Sequence, residues 1–297
     1  MESARTIFLA SLIVVCFGML WGFYWLPLRQ IDGLGLTGPW GTVAIMVVAV
    51  VLLLPWGWRG RHALRGSHPM AIASLVLGGC SLLLYSLGLL YGRVGIIVIL
   101  FYLTPIWSTL IGRYLFGWPI TGARVAALLA GVVGLLLMLG AEGGMPVPRG
   151  LGEWLGLASG FFWAVASIGI KVKATAGPAE STFLFAVGAL LGGLILAPIL
   201  APLPDLSALP APGAVVGWVI FTGVLWWALS IVGLLWATTK LEPARVGILM
   251  ISEVLVSVAS AALIAGEVLS PAELMGGTLV LVAGVLEFLP ARRTRLR

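Results

Sequence analysis

The chain has 297 residues, of which 61% are hydrophobic and only 9% are charged. A water-soluble domain needs far more charge on its surface, so this composition excludes a soluble enzyme or a soluble binding domain. The net charge of +6 does not indicate nucleic-acid binding, because the basic residues are scattered singly between apolar segments and form no patch. We therefore expect a multi-pass membrane protein.

Ten apolar segments follow one another along the chain, each about as long as a helix that crosses a bilayer. The alternating pattern of barrel strands is absent, and a lone membrane segment satisfies its own backbone hydrogen bonds only as a helix. We predict an all-α membrane protein with ten transmembrane helices. The predicted spans are residues 7–28, 37–57, 69–90, 95–113, 121–140, 152–171, 182–200, 213–236, 244–265 and 271–290.

The distribution of Lys and Arg predicts the orientation of these spans in the membrane. An even number of spans places both termini on one side. With the N-terminus inside, 14 of the 17 basic residues fall in cytoplasmic segments, and only Arg29, Arg93 and Arg149 fall outside. We expect a protein of the cell inner membrane with both termini in the cytoplasm.

One four-residue string occurs twice. Residues 93–96 and residues 245–248 both have the sequence Arg-Val-Gly-Ile, and each string opens an apolar span. Since each half of the chain holds five predicted spans, an odd number, the second half enters the membrane the other way up. We predict two inverted five-helix repeats, over residues 1–145 and 146–297. Inverted repeats of this kind support alternating access to a central site.

Further short stretches extend this pattern. They are a Trp-containing start at 18–22, Ile-Ser-Glu-Val-Leu at 251–255 and Ala-Gly-Glu-Val-Leu at 265–269, followed by Gly277 and Gly284. With the five-plus-five duplication in about 300 residues, the chain resembles the EamA branch of the drug/metabolite transporter superfamily. The resemblance covers the whole chain. It implies a secondary transporter whose substrates belong to a diverse set of amino acids, amines, purine-like metabolites and sugar nucleotides.

A second resemblance concerns the substrate. Residues 102–105, Tyr-Leu-Thr-Pro, are similar to the Tyr-Leu-Trp-Pro stretch of YddG-type amino-acid exporters, with Thr104 where those proteins have Trp. It implies export of small metabolites, with amino acids, aromatic and other neutral ones, as the first class to consider. An exporter of drugs or nucleobase-like metabolites is the alternative within transport. From another class, the alternatives are an intramembrane enzyme and a structural membrane partner.

Glu253 is the most informative single residue in the sequence. It lies at the predicted centre of span nine, where a carboxylate costs at least ~2.5 kcal/mol and must be neutral, paired or in contact with water. It is a candidate proton-coupling site or a partner for a substrate ammonium group, and a structural carboxyl bonded to a neighbouring helix is the alternative. An enzyme would need clustered catalytic groups near an interface, whereas Glu253 is isolated and deep. No basic residue is central, which disfavours a deeply held polyanion.

Other polar and aromatic side chains inside the spans are candidates for lining a pathway, because aromatic rings with a polar group favour wet or hydrogen-bonded surroundings. For the hydroxyl residues, helix packing is the alternative. Pro105 lies in the middle of span four and is a candidate hinge, with a passive kink as the alternative. The predicted substrate-binding residues are Trp21, Tyr85, Tyr102, Trp163, Trp226, Ser252 and Glu253.

Several motifs are absent from the sequence. No Walker A string occurs, and His62 and His68 lie in a predicted cytoplasmic loop without a cluster of Cys or carboxylate residues. We therefore predict no cofactor, no metal ion and no enzymatic activity. The expected partners are a small-molecule substrate and the lipid bilayer. Because a five-plus-five repeat forms a pathway by itself, we expect a monomer.

Overall fold

The computed structural model describes residues 3–117, 121–141, 143, 145–173 and 176–288. Over these ranges the chain forms helices and the turns between them, with no strand. The described chain contains fifteen α-helices, together with a 3₁₀ turn at Leu206–Ala208 and a π-helical segment at Gly223–Ser230. The α-helices are α1 (Ala4–Trp21), α2 (Trp25–Gly33), α3 (Pro39–Arg59), α4 (Arg61–Gly66), α5 (Pro69–Tyr91), α6 (Val94–Phe101), α7 (Thr104–Phe116), α8 (Gly122–Gly140), α9 (Leu151–Lys173), α10 (Pro178–Leu200), α11 (Pro212–Thr222), α12 (Ile231–Thr238), α13 (Pro243–Leu249), α14 (Ile251–Ile264) and α15 (Pro271–Phe288).

These helices build ten spans. Nine helical stretches of the described chain are long and apolar enough to cross a bilayer, and the apolar helix Pro271–Leu286 is a shorter tenth. The prediction of an all-α membrane protein with ten transmembrane helices in two inverted repeats is confirmed. The boundary between the repeats at residues 145 and 146 stays a prediction. Span ten was predicted to end at residue 290, but positions beyond 288, including four arginines, lie outside the described residues.

Span one is longer than predicted and is broken. Instead of one helix over residues 7–28, α1 ends at Trp21 and α2 begins at Trp25 and continues to Gly33. Pro27 has no backbone N–H to donate to the carbonyl of Phe23, four residues earlier. The chain tightens there into three-residue turns, in which the amide of Leu26 bonds to that carbonyl at 3.0 Å.

Span four is also broken, between α6 and α7, at Tyr102 and Leu103. Pro105 lies in the first turn of α7, where its missing N–H has no helical partner to lose. The carbonyl of Phe101, left free by the break, accepts from the Thr104 hydroxyl at 2.7 Å. The predicted kink is therefore a division of the span, and the hinge role of Pro105 stays a prediction.

Span nine, predicted as one helix over residues 244–265, divides at Met250 into α13 and α14. The two spans that open with Arg-Val-Gly-Ile are thus both discontinuous. A discontinuous helix presents backbone carbonyls at mid-membrane depth, where only protein or a water-lined cavity can satisfy them. The middle of the molecule therefore carries polar backbone groups, of which the sequence predicted the one freed by Pro105 in span four but not those at the break in span nine.

The main helix contacts join one half of the chain to the other. Helix α5 packs against α9 and α10, and α8 packs against α15. Glycines bring α5 and α10 into backbone contact, since a Cβ at Gly79 would overlap the carbonyl of Phe185 and one at Gly188 would overlap that of Val76. This contact fixes the position of Phe185 relative to Tyr85, a residue of α5.

Candidate functional site between the two halves

A cavity of about 290 Å³ lies between the two halves. This volume is at the lower end of the range of small-molecule sites, roughly 300–1,000 Å³. Side chains and backbone from both halves form its wall. Its lining residues are Trp21, Leu82, Tyr85, Phe101, Tyr102, Thr104, Pro105, Trp163, Phe185, Ile231, Leu234, Leu235, Thr238, Val246, Gly247, Met250, Ile251, Glu253, Val280, Leu281, Gly284 and Val285.

The cavity extends toward one face of the membrane. We call the side on which α1 begins and α15 ends the terminal face, and the side on which α2 and α14 end the distal face. Thr238 at the end of α12, Gly247 in the short helix α13 and Val285 late in α15 all line the cavity and all lie toward the terminal face. Tyr85 and Trp21 lie at its inner end, near the middle of the bilayer.

Glu253 lies at the inner end of this cavity, in the first turn of α14 just after the break at Met250. Its side chain is almost fully buried, with 3% of its surface exposed. The Tyr85 hydroxyl lies 2.9 Å from Oε1 and the Tyr102 hydroxyl lies 3.0 Å from Oε2. The carboxyl group is therefore clamped between tyrosines of two different spans of the first half.

The Tyr102 hydroxyl has a second neighbour, the carbonyl oxygen of Met250 at 2.8 Å. A tyrosine hydroxyl carries one hydrogen, so it donates to only one of these two acceptors. If it donates to Met250, its bond with Glu253 requires a protonated Oε2 as the donor. If Glu253 is ionised, Tyr102 donates to the carboxylate, and the Met250 carbonyl keeps only the backbone amide of Glu253, at 3.0 Å, as a donor. Protonation of Glu253 is thus linked by hydrogen bonding to the break in span nine.

Aromatic rings surround the carboxyl group. The rings of Tyr85 and Phe101 lie 4.8 Å apart, and Phe101 contacts Trp163 at 6.1 Å between ring centroids. Trp163 stacks on Phe185 with 5.7 Å between centroids and 27° between planes. These rings give the cavity flat apolar walls that suit a solute with an aromatic or apolar body.

The structure brings most of the predicted site residues together. Trp21, Tyr85, Tyr102, Trp163 and Glu253 all line the cavity, as does Pro105. Their sequence positions span more than 200 residues, and they come together because helices of the two halves, among them the continuous α5 and α9, pack side by side.

Trp226 and Ser252 lie away from the cavity and contact α1. The Trp226 indole N–H donates to the carbonyl of Leu20 at 3.0 Å, and the Ser252 hydroxyl donates to that of Val15 at 3.4 Å. In this arrangement both side chains hold α1 in place. Their role in substrate binding stays a prediction.

A second polar group of side chains holds the break in span one. The indole N–H of Trp227 donates to the Tyr24 hydroxyl at 2.8 Å, and Ser86 of α5 lies 3.1 Å from the same hydroxyl. The Trp21 indole N–H donates to Ser230 at 2.9 Å. Trp227 and Ser230 belong to the π-helical segment, a local form often found at functional sites.

Sequence reasoning missed much of the cavity wall. Phe101 and Phe185 are apolar residues in apolar spans, so nothing in the pattern separates them from side chains that face lipid. The Met250 carbonyl was missed because it is backbone. The wide spacing of the lining residues along the chain gave no local signal, and only the position of Phe101 next to Tyr102 pointed to this region.

The comparisons with known proteins agree with the fold and with its division into two halves. Residues 7–140 and 150–288 match the EamA-like transporter family, so each half of the chain matches separately. The chain belongs to the EamA-like transporter family. This family lies within the drug/metabolite transporter superfamily, as the resemblance predicted, and the chain is a multi-pass membrane transporter.

A solved structure titled "Crystal structure of protein" aligns with 99% of this transporter and 100% of its own chain, at a TM-score of 0.60 and 19% sequence identity. At that identity the likeness shows the fold. No curated protein matches the transporter in sequence.

Proposed function

We propose that this transporter exports small solutes that carry an amino group and an apolar or aromatic body, with amino acids as the first class. The observation that supports this proposal is the buried carboxyl group of Glu253 at the end of an aromatic cavity. A carboxylate binds an ammonium group by charge-assisted hydrogen bonds, and aromatic faces favour both cations and apolar rings. The cavity volume fits a solute of metabolite size.

The proposed mechanism is alternating access. The cavity extends to the terminal face, and the inverted repeats allow a second conformation in which it opens to the distal face. The orientation predicted from the basic residues makes the terminal face cytoplasmic, so the described state would take up solute from the cytoplasm for export. We propose that the transporter acts as a monomer in the cell inner membrane.

We further propose that Glu253 couples transport to a proton gradient. A solute ammonium and a proton would compete for the same carboxyl group, which is how one site exchanges one for the other. The shared hydroxyl of Tyr102 supports this step, because a change in the protonation of Glu253 changes the hydrogen bond to the Met250 carbonyl.

The test is counterflow of a mixture of labelled amino acids in proteoliposomes, with and without a pH gradient. The parent protein should show flux that the gradient accelerates. Glu253→Gln keeps the shape of the side chain but cannot ionise, so its flux should be indifferent to the gradient. Glu242→Gln, which removes an exposed carboxylate beside α13, is the matched control and should behave as the parent does.

Two outcomes would contradict the proposal. Equal flux in the parent and Glu253→Gln, both indifferent to pH, would make the transporter a uniporter and Glu253 structural. If folded protein shows no amino-acid flux, amino acids are excluded as its substrates.

The cavity also favours a second candidate, the amines that lack a carboxylate. No Lys, Arg or His is among the cavity-lining residues of the described chain, so an amino-acid carboxylate would have no cationic partner there. Competition between tryptophan and tryptamine, and between phenylalanine and phenethylamine, separates the two classes. Stronger inhibition by the amines than by the amino acids would indicate that the transporter exports amines or drugs.

A further inference from the structure

Four charged side chains meet on the distal face, opposite the cavity mouth. Arg29 Nη2 lies 3.2 Å from Glu267 Oε1, and Arg93 Nη1 lies 2.5 Å from Glu273 Oε1. Both arginines belong to the first half of the chain and both glutamates belong to the second half. The two ion pairs therefore join the halves on the side where the described state is closed.

Each carboxylate has further donors that fix its position. Glu267 accepts from the backbone amides of Val94 at 3.1 Å and Gly95 at 3.4 Å, which lie in the first turn of α6. Glu273 accepts from the amide of Ser270 at 2.7 Å, and the Ser270 hydroxyl accepts from the amide of Glu273 at 3.2 Å. The latter pair is a capping box that begins α15. Both carboxylates are thus held rigidly by helix ends.

The arginines are held equally well. Arg29 donates to the carbonyl of Gly92 at 2.9 Å and lies 5.1 Å from the centre of the Trp25 ring. Arg93 Nη2 donates to the carbonyl of Val268 at 2.7 Å. These contacts connect α2, the α5–α6 junction and the loop between α14 and α15. The group closes the cleft between the halves with side chains from α2, the α5–α6 junction, the α14–α15 loop and the first turn of α15.

The carboxylates of the pairs are shielded from solvent, whereas the arginines are half-buried. The side chains of Glu267 and Glu273 are 12% and 6% exposed, and those of Arg29 and Arg93 are 31% and 35% exposed. Removing an arginine leaves a shielded carboxylate poorly compensated, which costs more than losing a fully exposed ion pair.

We propose that Arg29, Arg93, Glu267 and Glu273 form the distal gate of the transport cycle, and that this gate favours the state open to the terminal face. We call these four residues the distal lock. For the cavity to open to the distal face, the halves separate there and both ion pairs break. The inference requires alternating access but no particular substrate.

The lock has no ionic counterpart in the equivalent part of the first half. The second Arg-Val-Gly-Ile string places Arg245 on the terminal face, where this side chain is exposed. In the second half, Glu267 and Glu273 follow the ninth span, whereas residues 113–124, which follow the fourth span, include no Asp or Glu. A state closed on the terminal face therefore lacks the matching carboxylates. This asymmetry is the physical reason for the proposed bias.

The test measures access to the closed side without using any substrate. A reporter cysteine at Leu89 lies one helical turn beyond Tyr85, on the same face of α5 and below the lock. Cys16 and Cys80 are replaced by Ala in the background. A membrane-impermeant thiol reagent is applied from the distal face, and Met145→Cys, at a position that is 77% exposed on that face, calibrates complete labelling.

Neutralising either carboxylate, as Glu267→Gln or Glu273→Gln, should raise labelling of the reporter about tenfold, the population shift expected from losing one charge-assisted hydrogen bond. The swapped pair Arg93→Glu with Glu273→Arg should restore most of the protection. Glu153→Gln removes a carboxylate that accepts from the Arg149 amide on the same face but outside the lock, and it should leave labelling unchanged.

A reporter that labels equally in the parent, the neutralised variants and Glu153→Gln would overturn the proposal. If neutralisation prevents folding, Glu267→Asp keeps the charge but shortens the side chain by one methylene. It should raise labelling in protein that elutes as a single species, and unchanged labelling there would also overturn the lock. Because solute flux is not measured, this result is independent of the proposed substrate.

Discussion

At the scale of the residue, the central feature is the hydroxyl of Tyr102. It lies within hydrogen-bonding distance of both the Glu253 carboxyl and the Met250 carbonyl. Tyr85 contacts the same carboxyl group through its other oxygen but does not reach the break in span nine. The two tyrosines therefore offer a matched pair that separates binding at Glu253 from support of the broken helix.

We predict that Tyr102→Phe destabilises the protein by about 1–3 kcal/mol, because it removes a buried hydroxyl that contacts both the Glu253 carboxyl and the Met250 carbonyl. Tyr85→Phe removes one bond and should cost less. The measurement is thermal unfolding in detergent, followed by tryptophan fluorescence. Equal effects of the two substitutions would show that the Met250 bond contributes nothing.

The substitutions Tyr102→Phe and Tyr85→Phe also differ in their expected effect on transport. Tyr102→Phe removes the link between Glu253 and the break, so the pH gradient should accelerate flux less than in Tyr85→Phe. Counterflow at two internal pH values measures this difference. The opposite order would place the proton-linked step at Tyr85.

At the scale of the element, the close contact between α5 and α10 positions the aromatic wall. Gly188 of α10 lies against the backbone of Val76 in α5, so any larger side chain forces the helices apart. Phe185, one turn earlier on α10, stacks on Trp163 and moves with this helix. The small residues thus set the width of the cavity as well as the stability of the bundle.

We predict that Gly188→Leu costs about 3 kcal/mol of folding free energy through overpacking. Gly217→Leu in α11, where an added Cβ meets open space, is the matched control and should leave the unfolding temperature nearly unchanged. Thermal unfolding in detergent checks both variants. A neutral Gly188→Leu would mean that the helices separate freely at this point.

At the scale of the whole molecule, the structure is asymmetric across the membrane, with a cavity toward the terminal face and the distal lock on the other side. Trp163 lines the cavity and is partly exposed within it. Access to this position therefore reports which face is open.

We predict that a cysteine at position 163 reacts with an impermeant thiol reagent from the terminal face and is protected from the distal face. During substrate turnover, labelling from the distal face should appear. Right-side-out and inside-out vesicles provide the two directions, and they also test the predicted cytoplasmic position of the terminal face. Equal labelling from both faces at rest would contradict the closed distal side, and labelling that does not change during turnover would contradict alternating access.

The sequence by itself determined the membrane class, the ten spans and the duplicated halves. These properties depend on composition, segment length and span number, which can be counted along the sequence without knowing how the helices pack. Glu253 was identified for the same reason, because a carboxylate in an apolar span is costly wherever the span packs. Tyr85, Tyr102 and Trp163 were predicted as site residues because each carries a polar group on an aromatic ring inside an apolar span.

Only the tertiary structure decided how these residues meet. Pro27 and Pro105 mark the breaks in spans one and four locally. The contacts that hold the breaks in spans one and nine, those of Tyr24 with Trp227 and of Tyr102 with Met250, come from distant helices and leave no periodic signal. The lining role of Phe101 and Phe185, and the placement of Trp226 and Ser252 against α1, depend on which helix face a neighbour covers. In an all-apolar span every face has the same composition, so packing between the two halves selects the face that lines the cavity.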